Sequence, residues 1–189
     1  MEIKIFTIAG GNTTALVYDC PVANREKTSK ELLKEVEQIG FISMESMRPE
    51  LTMMGGEFCL NATLAFASAL GERGELTTSG LKRPVPYINT NELTTIQIPF
   101  KFSQDENIIV LEGIGFVLYD RKDKSEIKKD ELSNFSKKYA LPAFGGIVYR
   151  NREIAPYVYV ARVNSFVKET ACGSGSVAYS LYSGVTDVV

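Results

Sequence analysis

Residues 57–70 read Glu57-Phe58-Cys59-Leu60-Asn61-Ala62-Thr63-Leu64-Ala65-Phe66-Ala67-Ser68-Ala69-Leu70. After the glutamate this run carries no charge, and small or apolar residues fall on every side of a helix wheel. A helix without a polar face is a buried one. A second run, Glu169-Thr170-Ala171-Cys172-Gly173-Ser174-Gly175-Ser176-Val177-Ala178-Tyr179, repeats the pattern late in the chain. With Cys59 placed over Cys172, the positions from Asn61 and Ser174 onward pair as small polar, tiny, hydroxyl, aliphatic, alanine and aromatic. A glutamate, Glu57 or Glu169, precedes each cysteine closely. Context is duplicated along with the residue. The repeat therefore predicts two equivalent half-sites, each with a thiol at the start of a buried helix.

That placement has a chemistry. A helix N-terminus carries unpaired backbone N–H groups and about half a positive charge. It draws a cysteine pKa down from about 8.5 toward neutrality, and its N–H groups can receive a carboxylate. Two such helix starts facing each other would bracket a small carboxylate ligand, with a thiolate on one side and a thiol on the other. Such a pair can remove the proton next to the carboxylate and return one from the opposite face, which inverts the centre. The donors at the helix starts would stabilise the enediolate-like charge, one such donor being worth about 2.7–4 kcal/mol.

Composition narrows the alternatives. The 189 residues include no histidine, no tryptophan and three cysteines. Triads and dyads built on histidine are excluded, as are histidine-ligated metal sites. Proton transfer falls to carboxylate, lysine, tyrosine or cysteine. Cysteines 20, 59 and 172 form no Cys-x-x-Cys pair, which speaks against a disulfide scaffold or a structural zinc. Cys20, in Tyr18-Asp-Cys-Pro21, has no helix motif behind it and reads as a packing residue. With 21 basic and 23 acidic side chains, the net charge of −2 gives no electrostatic reason to expect nucleic acid or anionic lipid. The N-terminus enters strand-like alternation without a basic segment and apolar core, and no run approaches a membrane span. The expectation is a reduced, cytoplasmic protein.

Along the chain, Ile3 and Ile5 and then Ala15–Tyr18 read as strands around the Gly10-Gly11-Asn12 turn. Thr28-Ser-Lys-Glu31 has capping-box spacing, predicting a helix through Leu32, Leu33, Val36 and Ile39 that Gly40 closes, with a strand at Phe41–Met44. Residues 76–119 are strand-rich. The polar stretch Phe102–Asn107 reads as a break and the candidate boundary between domains at 1–104 and 105–189. Asp120–Lys138 predicts a solvated loop and an amphipathic helix carrying Leu132, Phe135 and Tyr139, with strands at Gly146–Tyr149 and Tyr157–Val163.

Gly55-Gly-Glu-Phe-Cys59-Leu-Asn-Ala-Thr63 and Glu169-Thr-Ala-Cys172-Gly-Ser-Gly175 resemble the two cysteine motifs of the diaminopimelate epimerase-fold family, cofactor-independent amino-acid racemases and epimerases. Glu37-Gln-Ile-Gly-Phe-Ile42 supports the likeness. The resemblance implies an α+β fold of two similar domains, each a curved, barrel-like mixed sheet around a central buried helix. The ligand would lie between them. It implies Cys59 and Cys172 as the acid/base pair, with no cofactor and no metal. Asn61, by backbone and side chain, and the amides of Gly173 and Ser174 would hold the reacting carboxylate. Asn12 matches a substrate-contacting asparagine, and Glu57 and Glu169 would support the thiols.

There are departures from the pattern. Leu60 stands where glycine is usual, so its amide can still serve substrate while its isobutyl group must fit beside the ligand. Val163-Asn-Ser-Phe166 replaces the Glu-Arg with which diaminopimelate epimerases grip their substrate, which disfavours diaminopimelate itself. Family members also continue with strands beyond the second helix, so the expectation is either a sequence incomplete at its C-terminus or a second domain shorter than usual. The expected activity is racemisation of a free amino acid, by a protein compatible with a homodimer. The competing expectation is a non-catalytic relative that binds a small carboxylate.

Overall fold

In the computed structural model, which describes residues 1–8 and 10–186, the chain builds a mixed α+β fold with two sheets. The first holds β1 (Glu2–Thr7), β2 (Thr13–Tyr18), β3 (Gln38–Ser43), β4 (Glu50–Met53), β5 (Arg73–Thr78), β6 (Val85–Asn89) and β7 (Thr94–Ile96), in chain order. The second runs β13 (Ser165–Lys168), β12 (Glu153–Val160), β11 (Ala143–Arg150), β10 (Ile114–Asp120), β9 (Ile108–Leu111), β8 (Phe102–Asp105). The chain passes from one sheet to the other between Ile96 and Phe102.

One sequence of moves occurs twice. An antiparallel hairpin, β1–β2 or β9–β10, leads to a helical crossover, α1 (Val22–Leu32) or α3 (Lys129–Tyr139), and a parallel partner strand, β3 or β11. An antiparallel return, β4 or β12, follows, and then, after the extra strand β13 in the second half, a cysteine-capped helix, α2 (Leu60–Ser68) or α4 (Gly173–Ser183). Helix α2 packs on β2, β3, β4, β6 and β7, and α4 on β9, β10 and β11. The absence of charge from both helices now has a packing reason. Ala62, Ala65, Phe66 and Ala67 are buried in one cluster with Leu16, Leu51, Met53, Leu76 and Val85. Strand β2 is buried on both faces: Leu16 meets that cluster, while Ala15 and Val17 meet one shared with Phe41, Phe58, Ile109, Phe116, Ile147 and Cys172. Strands covered on both sides read as continuous apolar runs rather than alternations. A third cluster, with Leu132, Phe144, Val148 and Tyr157, seats α3 against its sheet.

Two expected elements differ. The first helix begins at Val22 behind Pro21, and Thr28 and Ser29 are buried in its middle instead of capping it. Pro21 supplies a fixed φ at the helix entry that outweighs the capping-box spacing. The helix has stopped by Leu33, so Gly40 is no helix terminator. It lies inside β3, where an added Cβ would come within 2.4 Å of Leu51 Cδ1. The polar stretch at 102–107 is not a break either. Phe102–Asp105 forms the exposed edge strand β8, whose polar composition reflects solvent on both faces. The expected amphipathic helix is present, with Leu132 buried in it. The region after Thr186, where the C-terminal shortening was expected, lies outside the described residues.

Gly80 and Gly113 hold the two sheets' loops together at the site. Both have positive φ, +81° and +79°. A Cβ on Gly113 would lie 2.5 Å from Gly80 Cα and 3.0 Å from the backbone nitrogen of Phe58, atoms that cannot move independently. Gly113→Ala is expected to cost about 1–3 kcal/mol through backbone strain. Gly71→Ala, at a position with open space around it, should be near neutral. Urea denaturation of both variants tests this.

Candidate active site

Each cysteine is the N-cap of its helix, in extended backbone (φ −131° at Cys59, −136° at Cys172). Each sulfur accepts the third amide of its own helix at 3.4 Å, from Ala62 and from Gly175. The hydroxyl of Thr63 donates to Cys59 O and that of Ser176 to Cys172 O. The paired residue types in the two motifs therefore make paired contacts.

The helix starts also cap each other. Leu60 N donates to Ser174 Oγ at 3.1 Å, and Gly173 N donates to Asn61 Oδ1 at 3.1 Å. Asn61 Nδ2 donates to Ala171 O at 3.1 Å. A Cβ on Gly173 would lie 2.8 Å from both Asn61 Oδ1 and Leu60 Cδ2. Glycine at 173 thus makes room for leucine at 60. The Leu60 side chain lines an outer groove with Val177 and Leu181, on a different surface from the cavity that holds the thiols.

That cavity, of about 450 Å³ including its mouth, is lined by Cys59, Cys172, Asn61, Gly173 and Ser174. Glu37, Gln38, Glu57 and Glu169 add polar groups, and Met54, Phe58, Ile114 and Val160 supply apolar wall. Asn12 stands behind this wall. It is fully buried, donates through Nδ2 to Glu37, and accepts at Oδ1 from Gln38 Nε2 and Thr14 Oγ1. Of the nine residues expected at the site, seven line the cavity, while Asn12 and the Leu60 side chain do not.

Glu37 and Gln38 were absent from the expected site. Glu37 accepts from Asn12 on one side and from the amide and hydroxyl of Thr170 on the other. Gln38 Oε1 accepts from the thiol of Cys59. Their signal was in the segment Glu37–Ile42, but a helix drawn through Ile39 hid it. In β3, Gln38 lies opposite Thr14 of β2, which brings Asn12 within reach.

The electrostatics depart from expectation. Burial pushes both thiols up, and the charge of Glu169 raises them further. The helix-start amides of Ala62 and Gly175 pull the other way without prevailing. Loss of water outweighs about half a helix charge. The carboxyls are raised as well, Glu57 to about 7 and Glu169 to about 8, with burial as the main cause. For Glu169, hydrogen bonding to Cys172 acts in the opposite sense, and Glu37 and Glu57 add repulsion. Among the described residues, Glu169 Oε2 and Ser165 Oγ are buried at this cavity without a hydrogen-bond partner.

No family model matches the chain. A histidine racemase of Fusobacterium nucleatum subsp. nucleatum is 32% identical over an alignment of 207 positions, covering 91% of this chain and 77% of the relative. The histidine racemase of a second strain is 30% identical with the same coverage. A phenazine biosynthesis PhzC/PhzF protein from Clostridium difficile (strain 630) shares the fold, with a TM-score of 0.51 over 97% of this chain and 82% of that one, at 12% identity. The chain is an isomerase, of the amino-acid racemase class. It belongs to the histidine racemase family.

The raised carboxyls set a pH dependence. A glutamate of the unfolded chain titrates near 4.5, so the folded protein retains protons up to about 7 or 8 that the unfolded chain has released. Stability from these groups is complete below 4.5 and is lost as pH rises through that window. The melting temperature of the ligand-free protein should fall between pH 5 and pH 8. Glu57→Gln and Glu169→Gln should each flatten the slope, as read by calorimetry across pH.

Proposed function

We propose that the chain racemises free histidine without a cofactor, using Cys59 and Cys172 as a two-base pair. The observation that carries this reading is that both N-cap thiols line one acidic cavity. The substrate is taken from the relatives' name. In support, Glu37, Glu57 and Glu169 among apolar walls suit the N–H groups and flat ring of an imidazole. The substrate carboxylate would sit where the two helix starts converge. There it takes N–H bonds that now run to Asn61 Oδ1 and Ser174 Oγ, with the amides of Asn61 and Ser174 beside them.

The pair works with one proton between them. A substrate ammonium brings positive charge into the cavity and favours the thiolate. The same ammonium favours ionisation of Glu169, whose proton leaves to solvent, and the carboxylate beside Cys172 can then accept the thiol proton. The thiolate takes the Cα proton, the charge spreads into the carboxylate, and the opposite thiol delivers its proton to the other face. One S–H bond is made and one is broken, leaving the enzyme with its sulfurs exchanged in state.

The two sheets are read as two like domains, each curved around its cysteine-capped helix. The passage at 97–101 supports a division just ahead of the expected 104/105. Localisation is read as cytoplasmic, with neither nucleic acid nor membrane as partner. No helix among the described residues is long and apolar enough to cross a membrane. A homodimer is the assembly to look for, since the edge strand β1 exposes Ile3 and Ile5.

Enantiopure amino acids incubated in D₂O test the reading. L- and D-histidine should exchange Cα–H for deuterium and lose optical purity, while diaminopimelate should not. Cys59→Ala and Cys172→Ala should each lower racemisation at least about 10³-fold, the scale of an essential acid/base group. Cys20→Ala should leave the rate within about twofold. No exchange with any of a panel of amino acids would favour a carboxylate binder.

A further inference from the structure

We propose that Gln38 is a positioning residue for the racemisation: its carboxamide, oriented by Glu37 through Asn12, holds Cys59 as the proton donor in the resting enzyme, so that Cys172 acts first as the base toward the enantiomer whose Cα–H faces it. The inference rests on the two-thiol reading and extends it by breaking the symmetry of the pair.

The argument is one of donors and acceptors. A carboxylate only accepts. Glu37 accepts from the amide and hydroxyl of Thr170 and from Asn12 Nδ2. That fixes which end of the Asn12 carboxamide faces Glu37, so Oδ1 must face the other way, toward Thr14 and Gln38. An oxygen there can only receive, so Gln38 presents Nε2 to it. Gln38 Oε1 is left facing Cys59. A carbonyl oxygen can bond sulfur only if sulfur carries the hydrogen. The chain from Glu37 to Cys59 is therefore satisfied only with Cys59 as a thiol.

Among the described residues, Cys172 meets no such carbonyl. Its polar neighbours are the Gly175 amide, which donates to sulfur and favours a thiolate, and Glu169, whose carboxylate keeps the proton on sulfur until it takes that proton itself. Of two sulfurs with equivalent helix caps, one is thus held as acid and the other is provided with a proton acceptor. Glu37 also joins the two sides, because its partner Thr170 lies two residues ahead of Cys172.

Gln38→Met and Gln38→Glu give the test. Methionine keeps the volume and loses both polar ends. It should lower kcat about ten- to a hundredfold at every pH, a fraction of a full acid/base contribution, with KM within about threefold. Cys59 in this variant should be alkylated by iodoacetamide at least about fivefold faster than in the wild type, with Cys172 within about twofold, both read by peptide mass spectrometry. Glutamate can reproduce the relay only while protonated, when its O–H donates to Asn12 and its carbonyl accepts from Cys59. Other titratable groups face Cys59 too: Glu57 ahead of α2, Glu37 at the entry to β3, and Glu169 and Cys172 at the start of α4. Gln38→Glu should be close to wild-type kcat near pH 5.5 and lose activity as pH rises, on a limb that Gln38→Met lacks.

A Gln38→Met variant within twofold of wild-type kcat would overturn the proposal, as would equal impairment of the two variants across pH. If either result came with an inactive Cys59→Ala, the relay alone would fail. An active Cys59→Ala would overturn the two-thiol reading beneath it. A Gln38→Met protein that does not fold leaves the decision to the pH limb of Gln38→Glu.

Discussion

Two helix N-termini pointed at one another repel, since each carries partial positive charge. In this fold the repulsion is met by two crossed hydrogen bonds, Leu60 N to Ser174 Oγ and Gly173 N to Asn61 Oδ1. The rest of the site follows from that pair. It fixes the starts of α2 and α4 together, so the cap residues Cys59 and Cys172 share one cavity. It also explains the small residues there, because a side chain at 173 would strike Leu60 and Asn61. An apolar core helix with a polar N2 residue is the simplest element able to make such a cross-cap while burying the rest of its length.

The same dependence explains what could be read in the sequence. The cysteine motifs were legible because each residue type has a local job that its counterpart repeats. Thr63 and Ser176 both bond the carbonyl of their cap, and Asn61 and Ser174 both receive the opposite helix. The mixed α+β class came with the family likeness that those motifs carry. Gln38 was not. Its function depends on strand pairing with Thr14, 24 residues earlier in the numbering, and spacing along one segment carries no trace of a neighbour across a sheet. The helix drawn through Ile39 arose because Leu32, Leu33, Val36 and Ile39 are all buried or half-buried, but for two different reasons. The first two close α1, and Ile39 is already a strand residue. Helical period and a helix-to-strand passage look alike over eight residues.

Leu60 shows the opposite case, a departure in sequence that the fold absorbs. Glycine is usual at the position, and a leucine there implies crowding of the ligand. In the structure its side chain turns to the outer groove, and its backbone amide keeps its place at the helix start. The repeat compensates, since glycine has been kept at the equivalent position of the second motif. One bulky and one absent side chain together fill the space between the helices.

The cavity's electrostatics oppose the helix starts. Helix charge favours thiolate, but Glu57, Glu169 and burial favour thiol, and burial wins while no cation is present. A buried polar atom without a partner costs about 1–3 kcal/mol, and Glu169 Oε2 and Ser165 Oγ both carry that cost. A ligand that is cationic at its amine and rich in N–H groups relieves both penalties. On the two-thiol proposal, it would pair the unpartnered oxygens and supply the positive charge that shifts the thiols, so that reactive thiolate would form only with such a ligand in place.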